Sequence, residues 1–380
     1  MTPTEGLLAN CLILFFLVYV AVLNRVDLDF YIYSIQEDES LEWATFWAFL
    51  LAFLTATVAA WRQVLQTGRL PWFLAGVGLF CLLVAMEEIS WGQRILGYRP
   101  PVYFLEHNFQ QEFNLHNLLS GALRQLTLVA VILGYGVLLP LGALIPALQR
   151  FLSRIGIIPP SLWLAPSFLA AYYTLEAYPW DFSGEVVELL LGMGFLLALL
   201  PAARTRGSRR SLPGQLLPPL AAWGMVVVLG SFSPGLTRLL KPVNPELVAT
   251  ARVELEALSQ DFVTMFHLGR ARPTACGLSK RVYNYLVQFN QNYLHQGAYS
   301  RLLSQRLPAV RANFLIDPWN SPYWIQHHCS PRNGRKLVMV YSFGPNRKRE
   351  STEWEVRGDD VAVSIDFRAS PSPTLPDGRQ

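Results

Sequence analysis

The stretch "LPWFLAGVGLFCLLVAMEEISWGQRILGYRPPVYFLEHNFQQEFNLHN" runs from Leu70 to Asn117. Up to Met86 it carries no charged side chain, and with the residues that follow it is long enough to enter a hydrocarbon layer. It then ends in two adjacent glutamates, Glu87 and Glu88. Arg94 comes next, followed by a tract holding Glu106, His107, Glu112 and His116. Such a junction means different things on the two faces of a membrane, so topology comes first.

Apolar runs of this kind recur. Seven are read, at residues 6–24, 41–61, 70–93, 126–147, 161–177, 185–203 and 215–233. Each approaches the roughly 20 residues a helix needs to cross a bilayer, the fifth being short and flanked by prolines. The 380 residues are 52% hydrophobic and 15% charged, which excludes an ordinary soluble globular chain. Trp43, Trp61, Trp72, Trp91 and Trp180 stand near run ends, where interfacial aromatics gather. The first run lacks a basic segment before it and a small-residue cleavage site after it, so it reads as an anchor rather than a signal peptide.

Short-loop arginines set the orientation. Loops two, four and six carry Arg62 and Arg69, then Arg150 and Arg154, then Arg204, Arg206, Arg209 and Arg210. Loop one carries Arg25 alone, and loop five none. Loop three breaks the contrast with Arg94, Arg99 and Arg124, but acids accompany them. The expectation is an N-terminus in the cytoplasm and an extracytoplasmic chain after the seventh run. Every Asp and Glu of residues 1–233 except Glu5 then sits at or beyond the outer face. Cys11 and Cys81 fall inside runs as buried thiols. Cys276 and Cys329 fall outside, where a disulfide can form, two free thiols being the alternative.

Residues 234–243, "PGLTRLLKPV", read as a linker. From 244 to 370 the pattern becomes that of an α+β domain. Asn244 reads as an N-cap with Pro245 at the first helical position. Leu247, Ala251, Leu255, Leu258, Phe262 and Phe266 then form one apolar face. A second helix is expected over 279–307. Short strands are expected in "KLVMVYSF", "EWEVR" and "VAVSIDF". Residues 371–380 read as a disordered tail.

Four blocks of this domain, "ARVELEALSQDFVTMFHLGRARPT", "DPWNSPYWI", "VYSFGPNRKRES" and "GDDVAV", resemble in order the major pseudopilin of type II secretion systems. The Asp317-Pro318-Trp319-Asn320-Ser321-Pro322-Tyr323 string is the most specific part. The resemblance covers about a third of the chain and implies a pilin-like fold, a long helix followed by a small antiparallel sheet. It also implies a bacterial inner membrane with the domain on the periplasmic side, and envelope or secretion-system partners. The family's leader and processing site have no counterpart before the seventh run, so a mounted head is expected rather than a polymerising subunit. The resemblance further implies calcium at Ser342, Asn346, Asp359 and Asp360. Against it, Asn346 replaces an aspartate, and Arg347, Lys348 and Arg349 repel a cation.

On this topology Glu87 and Glu88 lie at the outer interface, a costly depth for carboxylates unless they are paired, solvated or protonated. Glu112 and His116 are four apart, one face if helical, and His107 points elsewhere. Glu176, Asp181, Glu185 and Glu188 project to the same side. Glu88, Glu112 and His116, with Glu87, are therefore candidates for a divalent-metal or acid–base site, the alternatives being a structural polar network or solvated loops. Two functions follow. One is a membrane protein presenting a pseudopilin-like docking or assembly head. The other is an outward-facing, metal-assisted hydrolase or transferase acting on a lipid or glycan. The absence of internal repeats argues against a transporter. The basic charge of the C-terminal part, 19 Lys/Arg against 12 Asp/Glu from residue 234 on, is dispersed. It suits lipid headgroups or acidic proteins better than nucleic acid.

Overall fold

The computed structural model describes residues 1–36, 38–108, 110–204, 211–239, 244–267, 278–289, 296–304, 309–329, 336–347, 349–351 and 355–367. The chain forms two compact units. One comprises residues 1–95 and 114–237, the other 96–113 and the chain from 238 on.

The first unit is helical: α1 (Pro3–Val26), α2 (Ser40–Thr67), α3 (Trp72–Glu88), α4 (Gly121–Gly142), α5 (Pro146–Arg154), α6 (Ala165–Ala177), α7 (Ser183–Leu199) and α8 (Leu212–Thr237). Among the described residues four of these, α1, α2, α4 and α8, are long and apolar enough to cross a membrane. The third, fifth and sixth apolar runs form helices of 17, 13 and 17 residues. Proline punctuation and the left-handed Tyr178 shorten the fifth.

Packing is built on small residues. Ala44, Ala48, Ala52 and Ala56 form a buried stripe on α2 at four-residue spacing. Gly230 of α8, Gly192 of α7 and Gly78 of α3 lie against Ala44, Ala48 and Ala56, each so near that an added Cβ would stand 3.0 Å or less from the alanine Cβ. Close backbone approach of this kind is how helices associate where lipid removes the hydrophobic driving force. Helix α7 is buried along nearly its whole length and forms the centre. The middle of α4, Ala130–Leu138, is wound as a π-helix, with Gly136 pressed against Phe168 of α6.

Contacts within this unit sort the charges by end. Arg204 pairs with Glu5, Arg62 donates to the Ala203 carbonyl, and the Trp72 indole donates to the Ile155 carbonyl at 2.6 Å. Those bonds gather Arg62, Arg69, Arg154 and Arg204 at the end where α1 begins. At the other end the Tyr31 hydroxyl donates to the Asp181 carbonyl at 2.6 Å, and Glu87 meets His116.

The second unit is α+β. Helix α9 (Pro245–His267) starts as the sequence indicates, with Asn244 Oδ1 accepting from the Glu246 N–H at 2.9 Å. Its buried stripe is Ala251, Leu255, Leu258, Phe262 and Met265. The sheet is a four-stranded antiparallel meander, β1 (Leu278–Arg281), β2 (Trp324–Cys329), β3 (Lys336–Ser342) and β4 (Val361–Phe367). Registers His327↔Val338 and Val338↔Ile365 put Ile325, His327, Val338, Val340 and Ile365 on one face, in the core with α9. The expected helix over 279–307 is instead β1, then α10 (Val282–Phe289) and, separately, α11 (Ala298–Ser304). Lys280 and Arg281 complete the sheet edge against Ile325 and Trp324, and that pairing overrides their helical propensity. Asp261 of α9 accepts the N–H groups of Ala298 and Tyr299 at 2.7 and 3.0 Å, which caps α11.

Three expectations shift. Residues 234–239 of the expected linker over 234–243 are helical, the helix carrying on through Pro234 to Leu239, and 240–243 lie outside the described residues. Residues 355–357 of the expected "EWEVR" strand are not a strand. The third loop is not wholly part of the helical unit. Leu105 is buried with Phe314 and Ile316, Gln111 Nε2 donates to the Phe314 carbonyl at 3.2 Å, and Asn320 Nδ2 donates to the Gly97 carbonyl at 2.8 Å. Residues 96–113 therefore fold into the α+β unit. Arg272-Pro273-Thr274, Cys276 and the 371–380 tail lie outside the described residues, so the Cys276–Cys329 pairing does too.

Candidate functional site

At the acidic end of the helical unit α3 stops at Glu88, and the chain turns through Ser90 and Trp91 with φ of 46° and 55°. A left-handed pair of non-glycine residues is strained and persists only where its surroundings enforce it. The enforcing contacts centre on Glu87. Its Oε1 accepts from the Trp91 indole at 2.6 Å. Its Oε2 accepts from the backbone N–H groups of Leu115 and His116, and lies 3.4 Å from His116 Nδ1. Asn114 Nδ2 donates to the Ser90 hydroxyl at 3.3 Å.

His116 also feels the charge of Glu188 on α7, which in turn faces Arg124. Gln125 donates to Glu176 at 3.4 Å. A half-exposed imidazole is thus oriented through Nδ1 by a mostly buried carboxylate, with a second carboxylate in electrostatic reach. That is the arrangement of an oriented general base.

Of the expected set, Glu87 and His116 meet. Glu88 stands on the same helix end, partly buried, about 100° round from Glu87. Glu112 belongs to the other unit and is buried there, its carbonyl accepting from Asn108 Nδ2 at 2.8 Å. His107 is exposed, stacked on Tyr103 at 4.4 Å with Nδ1 3.0 Å from the Tyr103 carbonyl. Among the described residues no group of three or more His, Cys, Asp or Glu side chains is arranged to hold a metal ion. Trp91, expected only as an interfacial aromatic, was missed as part of this arrangement. The four-residue spacing of Glu87 and Trp91 was the available signal.

In the α+β unit, the residues that the resemblance assigns to calcium are used otherwise. The Ser342 hydroxyl donates to Asp317 Oδ2 at 2.5 Å, and the Asn346 N–H donates to Asp359 Oδ2 at 3.1 Å. Asp360 Oδ2 accepts the Glu350 and Ser351 N–H groups at 2.9 and 2.7 Å, while Glu350 Oε2 accepts the Asp359 N–H at 2.8 Å. Asp359 Oδ1 and Asp360 Oδ1 are buried without a hydrogen-bond partner. Burial, then the neighbouring Glu350 and Asp360, push Asp359 up to about 7, and burial pushes Asp360 up to about 6. Two orphaned oxygens suit a cation, but Ser342 and the Asn346 N–H serve as hydrogen donors to carboxylates. The four residues thus hold hydrogen bonds of their own, and Asp359 Oδ1 and Asp360 Oδ1 are the oxygens they leave for a cation.

The turn before β2 is organised by Asp317, which also accepts the Trp319 and Ser321 N–H groups at 2.9 and 2.8 Å and is raised by burial to about 6. Beside it Glu254 of α9 receives Arg311 at 2.7 Å and the Tyr323 hydroxyl at 2.6 Å, all buried. Comparison with protein-family models, curated proteins and solved structures finds no match. The pseudopilin resemblance therefore rests on the quoted residues alone.

Proposed function

We propose that this chain is a multi-span membrane protein that presents its α+β unit as a docking or assembly head on the outer side of a bacterial inner membrane. The observation that carries the reading is the way the head is attached. The chain passes between the units at 95/96, 113/114 and 237/238, and the third loop contributes Leu105 to a small apolar cluster of the head with Phe314 and Ile316. A head built in part from the third loop is more than a domain appended after the last helix. Segregated charge supports the orientation, with Arg62, Arg69, Arg154 and Arg204 at the end where α1 starts and Asp181, Glu87 and Glu176 at the other. The helix-on-meander order accords with a pilin-like fold, seven crossings being the finer form of the proposal.

The test is site-directed photocrosslinking in living cells from Val253 and Val356, exposed apolar side chains on the head. A discrete adduct with one envelope protein at either position is expected. Lipid adducts or none at both positions would overturn the docking role.

Glu87 and His116 favour a second reading, an outward-facing acid–base enzyme acting on a lipid or glycan. Glu87→Gln removes the charge that orients and stabilises the imidazolium, and His116→Ala removes the base. Either change is expected to abolish turnover while the protein keeps its melting temperature within a few degrees. Large losses of stability in both variants, without loss of any activity found, would mark a structural network instead.

A further inference from the structure

Helix α5 and its approaches are the most amphipathic part of the helical unit that is not absorbed by the core. Three residues separate α5 from the end of α4. Around its axis, Leu148, Phe151, Leu152 and Ile155 occupy one side and Gln149, Arg150, Ser153 and Arg154 the other. Only Leu152 is buried against the bundle. Leu148, Phe151 and Ile155 are exposed, continuous with exposed Leu138, Leu141, Leu144 and Ile145 at the end of α4.

The bond from the Trp72 indole to the Ile155 carbonyl fixes the end of α5 beside the start of α3, and Trp72 is itself exposed, as an aromatic at a membrane interface is. Arg69, three residues earlier, is exposed, and so are Arg150 and Arg154. Arg150 Nε donates to the Pro146 carbonyl at 3.2 Å. Among the described residues none of the three arginines pairs with a carboxylate, and the acid at this end, Glu5, is taken by Arg204. An exposed apolar face that continues a membrane-crossing helix, backed by unpaired arginines, fits the boundary between acyl chains and anionic headgroups.

We propose that α5 lies flat in the bilayer interface and that Arg69, Arg150 and Arg154 form a binding site for the phosphodiester of anionic phospholipids. Guanidinium forks match phosphate oxygens, and the exposed Phe151 and Leu148 seat the acyl region beside them. The proposal rests on the reading of this unit as membrane-spanning.

The experiment uses full-length protein in dodecyl maltoside, with native mass spectrometry counting bound dioleoyl-phosphatidylglycerol against dioleoyl-phosphatidylcholine. Wild type is expected to retain the anionic lipid preferentially. Arg150→Gln/Arg154→Gln is expected to weaken that binding about five-fold for each arginine removed, whereas Arg150→Lys/Arg154→Lys keeps most of it. Equal retention of both lipids by wild type, or unchanged anionic binding by the glutamine variant, would overturn the site. Alkaline carbonate extraction of the same membranes separates the two claims. Release of the protein refutes the spanning reading, whereas resistance with unchanged lipid binding refutes the lipid site alone.

Discussion

His327 shows what a single residue contributes to the head. It is buried on the core face of β2, opposite Leu278 and Val338, with the rings of Tyr285 and Phe266 at 5.6 and 6.2 Å. Neither ring nitrogen has a hydrogen-bond partner. Burial, with a smaller push from His328, lowers it to about 4. The unfolded chain, with an ordinary histidine near 6.5, binds the proton more readily between those values. The neutral ring's contribution is therefore complete above about pH 6.5 and is lost as pH falls towards 4. Asp317, Asp359 and Asp360 work in the opposite sense, since raised acids favour the fold at lower pH. The difference between variant and wild type isolates the histidine. His327→Phe is expected to melt progressively higher than wild type as pH drops from 7 to 4.5. Parallel melting curves across that range would show that the histidine is not held neutral by the fold.

At the scale of elements, the sequence was most readable where periodicity and capping agreed. Asn244, Pro245 and the apolar stripe of α9 place the start of that helix, and β3 and β4 are marked by the continuous apolar run in "KLVMVYSF", buried on both faces, and by the alternation in "VAVSIDF". The strand β2, "WIQHHC", was not legible. Both of its faces are buried, so Gln326, His327 and His328 sit where alternation promises apolar residues. Strand β1 was hidden by Lys280 and Arg281, whose place at the sheet edge only tertiary pairing decides. In the helical unit the runs were plain, but their lengths were not. The Pro-rich entry to α6 and the turns at Glu88 and Tyr178 shorten helices that composition alone would extend. The partnership of Glu87 with His116 was half legible. Both residues stood out, but the backbone turn at Ser90 and Trp91 that lets them meet is set by contacts 24 to 29 residues away in sequence.

For the whole molecule, two physical regimes share one chain. A helical unit packs through an alanine stripe and neighbouring glycines and gathers Arg62, Arg69, Arg154 and Arg204 at the end where α1 begins. An α+β unit has its own core, a buried Glu254–Arg311 pair and a turn organised by Asp317. What joins them was the least legible feature, because residues 96–113 look like an ordinary loop until Leu105 is seen buried with Phe314 and Ile316. The account depends on the head standing on the outer side of the membrane. Two reporter fusions after Gln380, one to alkaline phosphatase and the other to green fluorescent protein, measure this directly. The account predicts phosphatase activity and no fluorescence. Bright fluorescence with inactive phosphatase would put the head in the cytoplasm and contradict it.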